Sequence, residues 1–234
     1  MKKLVAFLIL FQYSICQAQF GSSMFKKDPI VNLENWDKQR VYWGFFLGFS
    51  SYDYKFDYKT LGQEIAINST TGFNVGIVGD LRISEYFNLR LEPGLYITQR
   101  DLIYPEFTDS RDFRREVKAS NIHFPLLLKY SALRTGNIRP FLVGGVSTTL
   151  NLSSNEKVTD DNVQQIFRVK KFTQNYEMGF GIDFYTEYFK FSPSIRGVFS
   201  FNDELIRDND PASPWTSNIE SMKTRGVFIN FTFH

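Results

Sequence analysis

The sequence has little cysteine, almost no net charge and no long apolar run after its first twenty residues. Its one cysteine, Cys16, lies in a segment that we expect to be removed at export, which leaves the mature chain without disulfides, zinc-thiolate sites or thiol nucleophiles. The 27 Lys and Arg residues nearly balance the 25 Asp and Glu residues, which excludes a protein that binds polyanions through bulk positive charge. A membrane-spanning helix needs roughly 18–20 consecutive apolar residues, and the lack of such a run excludes a polytopic helical membrane protein.

Aromatic residues are abundant instead, with 25 Phe, 12 Tyr and 3 Trp in 234 residues. In a chain without helical spans, so many aromatic side chains require a large apolar surface built from strands, where aromatic residues are favoured. The length suits one domain, so that surface is expected to belong to a single β-rich unit.

The N-terminus has the order of features found in an export signal. Two lysines precede an apolar stretch, and small residues provide a cleavage site after Ala18. We therefore expect residues 1–18 to be a cleavable signal peptide. The alternative, a lipid-modified Cys16, is disfavoured because Ile15 is too bulky for a lipoprotein signal. Residues 19–39 are expected to remain in the periplasm, either as a peptide that docks a partner or as a spacer.

The rest of the sequence alternates between apolar and polar residues with a period of two, as strands with one apolar face do. In the last segment Val227, Ile229 and Phe231 share one parity, while Asn230 and Thr232 share the other. Seven further segments alternate or are strand-like, at residues 41–50, 73–83, 87–97, 121–130, 138–150, 175–184 and 189–200. The sequence therefore predicts eight strands.

The connections between these segments are alternately short and long. The short ones lie around residues 84–85, 133–137 and 186–188, and the long ones span about residues 52–71, 100–118, 152–171 and 202–224. This rhythm is typical of an up-and-down barrel with tight periplasmic turns and long external loops, whereas a Greek-key sandwich has no reason to keep it. Because strands can cross a bilayer only as a closed barrel, we expect residues 40–234 to form an all-β, eight-stranded antiparallel transmembrane β-barrel. It would lie in the outer membrane with four long external loops and both termini in the periplasm.

The charged residues of the predicted strands fall on the polar face. Eight ionisable residues of both signs fall on the parity assigned to the barrel interior: Asp80, Arg82, Arg90, Glu92, Lys129, Glu177, Asp183 and Arg196. The interior of an eight-stranded barrel is just wide enough for side chains to fill, so we expect these charges to pair into a plug rather than to line a pore. Inward glycines such as Gly76 make room for large inward residues such as Phe46. Aromatic residues at the short turns, among them Tyr185, are expected to form an interfacial girdle.

Candidate catalytic or ligand-binding residues are few. His123 has inward parity, which leaves open an acyltransferase or esterase site; we favour a histidine hydrogen-bonded within the interior network. No G-x-S-x-G element or metal-spaced carboxylate pair is visible, so we expect no enzyme activity, metal, cofactor or small-molecule substrate.

The basic cluster Arg111, Arg114 and Arg115 in the second long loop could hold lipopolysaccharide phosphates or an acidic partner, or could simply be a solvated loop.

Several segments resemble those of the PorT family. Residues 37–48, DKQRVYWGFFLG, resemble the start of that family's first strand, and residues 88–95, NLRLEPGL, resemble its third. Residues 123–130, followed by residues 137–140 and 144–146, are similar to its fourth and fifth strands. The resemblance covers most of the mature chain and implies an outer-membrane barrel of Bacteroidota that is required for type IX secretion and the gliding motility it serves. It implies no catalytic residue.

We therefore expect a non-enzymatic outer-membrane protein that supports the assembly or operation of the type IX secretion system. Its docking residues are expected at the start of the barrel: Asp37, Lys38, Arg40 and Trp43. Its expected partners are outer-membrane lipids and other secretion components, without nucleic acid. The alternative is a stand-alone surface barrel of the OmpA/OmpX type whose long loops bind lipid or host ligands. A conducting porin is a further alternative.

Overall fold

The computed structural model of the chain describes residues 31–60, 64–105, 113–156, 167–210, 213 and 215–234. The expected signal peptide, the first part of the expected N-terminal segment and Arg111 lie outside these residues. A short 3₁₀ helix, Trp36–Lys38, precedes ten strands that form one sheet. The strands are β1 Val41–Tyr58, β2 Ala66–Ser69, β3 Thr71–Arg82, β4 Phe87–Leu91, β5 Gly94–Ile103, β6 Arg114–Ser131, β7 Ile138–Asn151, β8 Phe172–Tyr185, β9 Lys190–Ser200 and β10 Ile219–Phe233. Across the described ranges, no helix is long and apolar enough to cross a bilayer.

The sheet closes on itself into a barrel. Strand β1 pairs antiparallel with β3 on one side and with the last strand, β10, on the other, so that Phe45 lies opposite both Ile77 and Phe233. The remaining strands pair antiparallel with their neighbours around the ring. Closure gives the backbone donors and acceptors of β1 and β10 partners within the sheet, which a strand protein needs in a medium without water. The predicted all-β antiparallel barrel is confirmed.

The ten strands form eight staves, the lengths of sheet that each cross the barrel wall, because two staves are interrupted. Strands β2 and β3 are separated by Thr70 and both pair with β5, so the stretch 66–69, expected to belong to a long connection, is strand. The predicted strand 87–97 is divided into β4 and β5. Strands β4 and β5 are separated by Glu92 and Pro93, and both pair with β6. Proline has no N–H to donate to a ladder, although the Pro93 carbonyl still accepts a hydrogen bond of 3.1 Å from Ile77 N. The breaks interrupt the strands without changing the number of staves.

The two faces of the barrel have the chemistry that the alternation predicts. The outer face carries large apolar side chains that remain exposed, such as Trp43 at 68%. The inner face buries an aromatic cluster that includes Phe46, Tyr96 and Phe228, all fully buried. So much exposed apolar surface is unfavourable in water, and it matches the lipid-facing band of a membrane barrel.

Glycines at two points of the wall make room for the inward ring of Phe46. A Cβ atom on Gly76 would lie 2.6 Å from Phe46 Cε1 and would also overlap the Pro93 carbonyl oxygen. A Cβ atom on Gly94 would lie 2.6 Å from Phe46 Cζ. As expected from the sequence, Gly76 makes room for Phe46.

We predict that Gly76→Ala destabilises the barrel by about 1–3 kcal/mol, because overpacking a filled interior forces side chains and backbone to shift. The matched control is Gly144→Ala in β7, where the nearest atom to the new Cβ would be Glu177 O at 3.7 Å, an ordinary contact. The free energy of unfolding in urea, measured on the barrel refolded in detergent micelles, tests this. Equal free energies of unfolding for the two variants would contradict the prediction, because they would show that the neighbours of Gly76 move aside for a Cβ atom without cost.

Candidate functional site

A network of buried charges fills the barrel interior. Arg90 lies at its centre and is fully buried: its Nη2 is 2.6 Å from Asp80 Oδ2, and its Nη1 is 3.1 Å from Glu92 Oε1. The Arg90 Nε also donates to both Asp80 oxygens, at 3.1 and 3.2 Å. Glu92 Oε2 in turn lies 2.7 Å from Arg196 Nη1. Cations and carboxylates therefore alternate across the lumen.

The network extends to His123 and, separately, to Lys129. His123 Nε2 is 2.6 Å from Glu177 Oε1, and its Nδ1 is 2.8 Å from Thr149 Oγ1. Both ring nitrogens are thus occupied, as in the network histidine that the sequence favours over a catalytic one. Lys129 Nζ lies 2.7 Å from Asp183 Oδ2. The structure thus brings seven of the eight predicted interior charges into pairs.

Arg82 is the exception among the predicted interior charges. It is the last residue of β3, and it is half-buried at the end of the barrel where the short turns lie, which we call the short-turn end. Its Nε donates only a long bond, 3.4 Å, to Ser84 O. Parity is inward at this position, but Arg82 lies beyond the buried Asp80 at the end of the strand, so its side chain remains at the rim.

We predict that Arg90→Leu destabilises the barrel by about 3–5 kcal/mol, because it removes the guanidinium from a buried Asp80 and one of the two from Glu92. Arg225→Leu is the control, since the Arg225–Asp53 pair is short, 2.6 Å, but substantially exposed and exposed pairs contribute about 0–1 kcal/mol. Equilibrium unfolding in micelles measures both. A loss at Arg90 no larger than at Arg225 would contradict a dry interior network.

The described part of the N-terminal segment lies against the short-turn end of the barrel. Asn32 N donates to Asn137 Oδ1 at 2.9 Å, and Asn32 Nδ2 donates to Tyr185 O at 3.1 Å. The Arg134 guanidinium donates to the carbonyl oxygens of Asn32 and Leu33 and lies 3.7 Å from the centre of the Tyr185 ring. The segment is therefore attached to the β6–β7 turn and to the end of β8.

Asp37 is the anchor of this attachment. The Tyr185 hydroxyl lies 2.8 Å from both Asp37 oxygens and donates to them, and Arg139 Nη1 lies 3.6 Å from Oδ2. Arg134 Nη1 is at 4.0 Å. The girdle position predicted for Tyr185 is wrong: the side chain is buried, 1% exposed, because it has the inward parity of β8. Asp37, Tyr185, Arg134 and Arg139 form what we call the Asp37 latch.

The other predicted docking residues do not join Asp37 in one surface. Lys38 is exposed and donates to Asn35 Oδ1 at 2.9 Å. Arg40 is exposed beside Arg82, whose backbone N donates to Arg40 O at 2.8 Å. Trp43 lies on the outer, apolar face with its ring packed over Gly79. One predicted patch is therefore divided between the latch, the rim and the outer wall.

We predict that Asp37→Ala releases the segment at residues 31–38 without unfolding the barrel. Amide hydrogen exchange of that segment should accelerate, because its main side-chain attachment is lost, while exchange in the strands stays unchanged. Glu34→Ala is the control: it removes the same charge from an exposed residue of the same segment. Equal exchange in the two variants would mean that Asp37 does not hold the segment.

The opposite end of the barrel, where the long connections lie, carries an apolar cluster that the sequence pattern did not reveal. Its buried members are Tyr54, Leu102, Tyr104, Val117, Phe167, Val169, Leu205, Ile219 and Met222. Strand β1 continues to Tyr58 and β6 begins at Arg114, so much of the expected loops is strand. Adjacent to the cluster, Glu204 is buried and accepts hydrogen bonds from Thr224 N and Oγ1 at 3.0 and 2.8 Å. Burial raises the pKa of the Glu204 carboxyl above its usual range.

The structure separates the arginines predicted as a ligand patch at this long-loop end. Arg114 is half-exposed, and its Nη2 pairs with Asp101 Oδ2 at 2.7 Å. Arg115 is 2% exposed and its guanidinium lies 4.2 Å from the centre of the Trp215 ring. Successive residues of a strand point to opposite faces, so Arg114 and Arg115 cannot present one surface. Arg111 is not among the described residues.

A closed antiparallel ring with an apolar belt outside and paired charges inside is the structure of an outer-membrane β-barrel. The sequence comparison agrees with this class: the chain belongs to the family described as outer membrane protein beta-barrel domain, which it matches over residues 17–205. No curated protein is significantly similar in sequence. The protein is located in the cell outer membrane, and in such barrels the short-turn end faces the periplasm.

Several solved structures are similar to this chain. OprG from Pseudomonas aeruginosa is 16% identical, with a TM-score of 0.47 over 83% of this chain and 94% of that chain. The N-terminal barrel domain of Pseudomonas aeruginosa OprF is 13% identical, with a TM-score of 0.36 over 80% and 97%. Ail, the attachment invasion locus protein of Yersinia pestis, is 10% identical, with a TM-score of 0.36 over 83% and 98%.

Proposed function

We propose that this barrel is a non-enzymatic docking platform in the outer membrane, and that it supports the assembly or operation of the type IX protein secretion system and the gliding motility associated with it. The observation that carries the proposal is the Asp37 latch. It holds the segment before β1 in a fixed position at the periplasmic end, where the exporting components of a secretion machine would meet the barrel. The latch also begins the stretch 37–48 that resembles the PorT family.

The interior network supports a platform rather than a solute channel. Buried pairs such as Arg90–Asp80 and Lys129–Asp183, at 2.6 and 2.7 Å, occupy the lumen. Moving them apart to admit a solute would leave unpaired charges in a narrow interior, which is strongly unfavourable. The same pairs brace the wall, so that a partner would dock against a rigid rim. Lys38 and Arg40 are exposed at that rim, and the Asp37 latch fixes their position.

A stand-alone surface barrel is the second candidate, and one observation favours it. The long-loop end is a packed structure, with Leu102, Phe167 and Ile219 buried in a common cluster. An external end with its own core is a stable platform on which exposed residues could bind lipid or host ligands. In this alternative the periplasmic latch would serve only the stability of the barrel.

A deletion strain distinguishes the two candidates. We expect cargo with the secretion signal to disappear from the medium and accumulate in the cell while outer-membrane composition stays intact, and we expect the wild-type gene to restore secretion. Complementation with Asp37→Ala should restore less than complementation with Glu34→Ala. Normal secretion in the deletion strain would overturn the proposal. A variant with Arg114→Ala, at the exposed member of the predicted ligand patch, that secretes normally but loses surface ligand binding would favour the stand-alone barrel.

A further inference from the structure

Two arginines lie opposite each other at the periplasmic rim. The β1–β3 pairing ends at Val41 opposite Leu81, and the next rung is formed by Arg82 N donating to Arg40 O at 2.8 Å. Like charges directly opposite each other on neighbouring strands are destabilising. Lys38 adds a third cation, and all three residues line one groove together with Leu81, Ile83 and Ser84.

The protein does not neutralise these three cations within the part of the chain that the structure describes. No carboxylate in the described ranges forms an ion pair with Lys38, Arg40 or Arg82; Asp37, the nearest in sequence, is turned toward Tyr185 and Arg139. Glu85, in the adjacent turn, is exposed. At the long-loop end, by contrast, several exposed cations pair with carboxylates, as Arg225 does with Asp53 at 2.6 Å and Arg114 with Asp101 at 2.7 Å.

The groove also lies at the edge of the apolar belt. Leu81 and Ile83 line it and are 38% and 60% exposed on the outer face of the barrel. A phosphodiester group lies at this level in a bilayer, with acyl chains on one side and water on the other. Arginine side chains bind phosphate through two parallel N–H donors. The groove thus combines cations on the aqueous side with apolar surface on the lipid side.

We propose that this groove binds the headgroup of an anionic phospholipid of the inner leaflet. Arg40 and Arg82 bind the phosphate, Lys38 supplies a third positive charge, and the acyl chains lie along Leu81 and Ile83. An anionic lipid is preferred to a zwitterionic one because the latter brings its own cation into a site that already holds three. The site requires only the outer-membrane location and does not depend on a role in secretion.

Lipid retention on the purified barrel tests the proposal. The barrel in zwitterionic micelles is titrated with phosphatidylglycerol, and bound lipid is counted by native mass spectrometry. We expect one tightly retained lipid, and about tenfold weaker retention for the double variant Arg40→Gln with Arg82→Gln, since two charge-assisted contacts to the phosphate are lost. The matched control is Lys55→Gln with Lys223→Gln, a cross-strand pair of lysines in the β1–β10 pairing near the long-loop end. It should retain the lipid as the wild type does.

Two further arms make the result specific. Without lipid, the Arg40/Arg82 double variant should melt no lower than the wild type, because a like-charge pair has been removed; phosphatidylglycerol should raise the melting temperature of the wild type but not of the variant. Phosphatidylcholine and millimolar inorganic phosphate should not displace the lipid. Equal retention by wild type and double variant, or displacement by inorganic phosphate alone, would overturn the proposal. So would a double variant that keeps its lipid but loses a periplasmic protein partner.

Discussion

The constraint on which the whole structure depends is that a bilayer offers the backbone no hydrogen-bond partners. A sheet can satisfy that constraint only by pairing its first strand with its last, as β1 does with β10 from Phe45–Phe233 onward. Once the ring is closed, side chains alternate strictly between lipid and lumen. The apolar belt, the buried charges and the position of the rim residues all follow from that closure.

The narrowness of the closed ring then decides what the interior can contain. Eight staves leave room only for side chains that contact one another across the lumen, so Arg90 contacts Asp80 and Glu92 at 2.6 and 3.1 Å. Ionic interiors of this kind stabilise weakly in net terms but are costly to disrupt. Losing one partner of a pair is therefore expected to cost more stability than the intact pair contributes.

The sequence was sufficient to predict the faces of the strands and the charged interior, because parity in a strand is a local property. The two errors have different causes. Arg82 has inward parity but is the last residue of its strand, so it lies at the rim. For Tyr185 the parity indicates the correct, buried position, and its place near a turn is a misleading sign of a girdle residue. The cluster around Leu102, Phe167 and Ile219 brings together distant connections that share no period, so no local pattern could reveal it.

The Asp37 latch has a consequence for the order of folding. The Tyr185–Asp37 hydrogen bond joins residues 148 positions apart, and the Asn32–Tyr185 bond joins residues 153 apart. These contacts need the β6–β7 turn and the end of β8 in place. The segment before β1 therefore cannot dock until the strands up to β8 have folded. The latch thus forms late in biogenesis, and a docked segment marks a barrel whose later strands have reached their final positions.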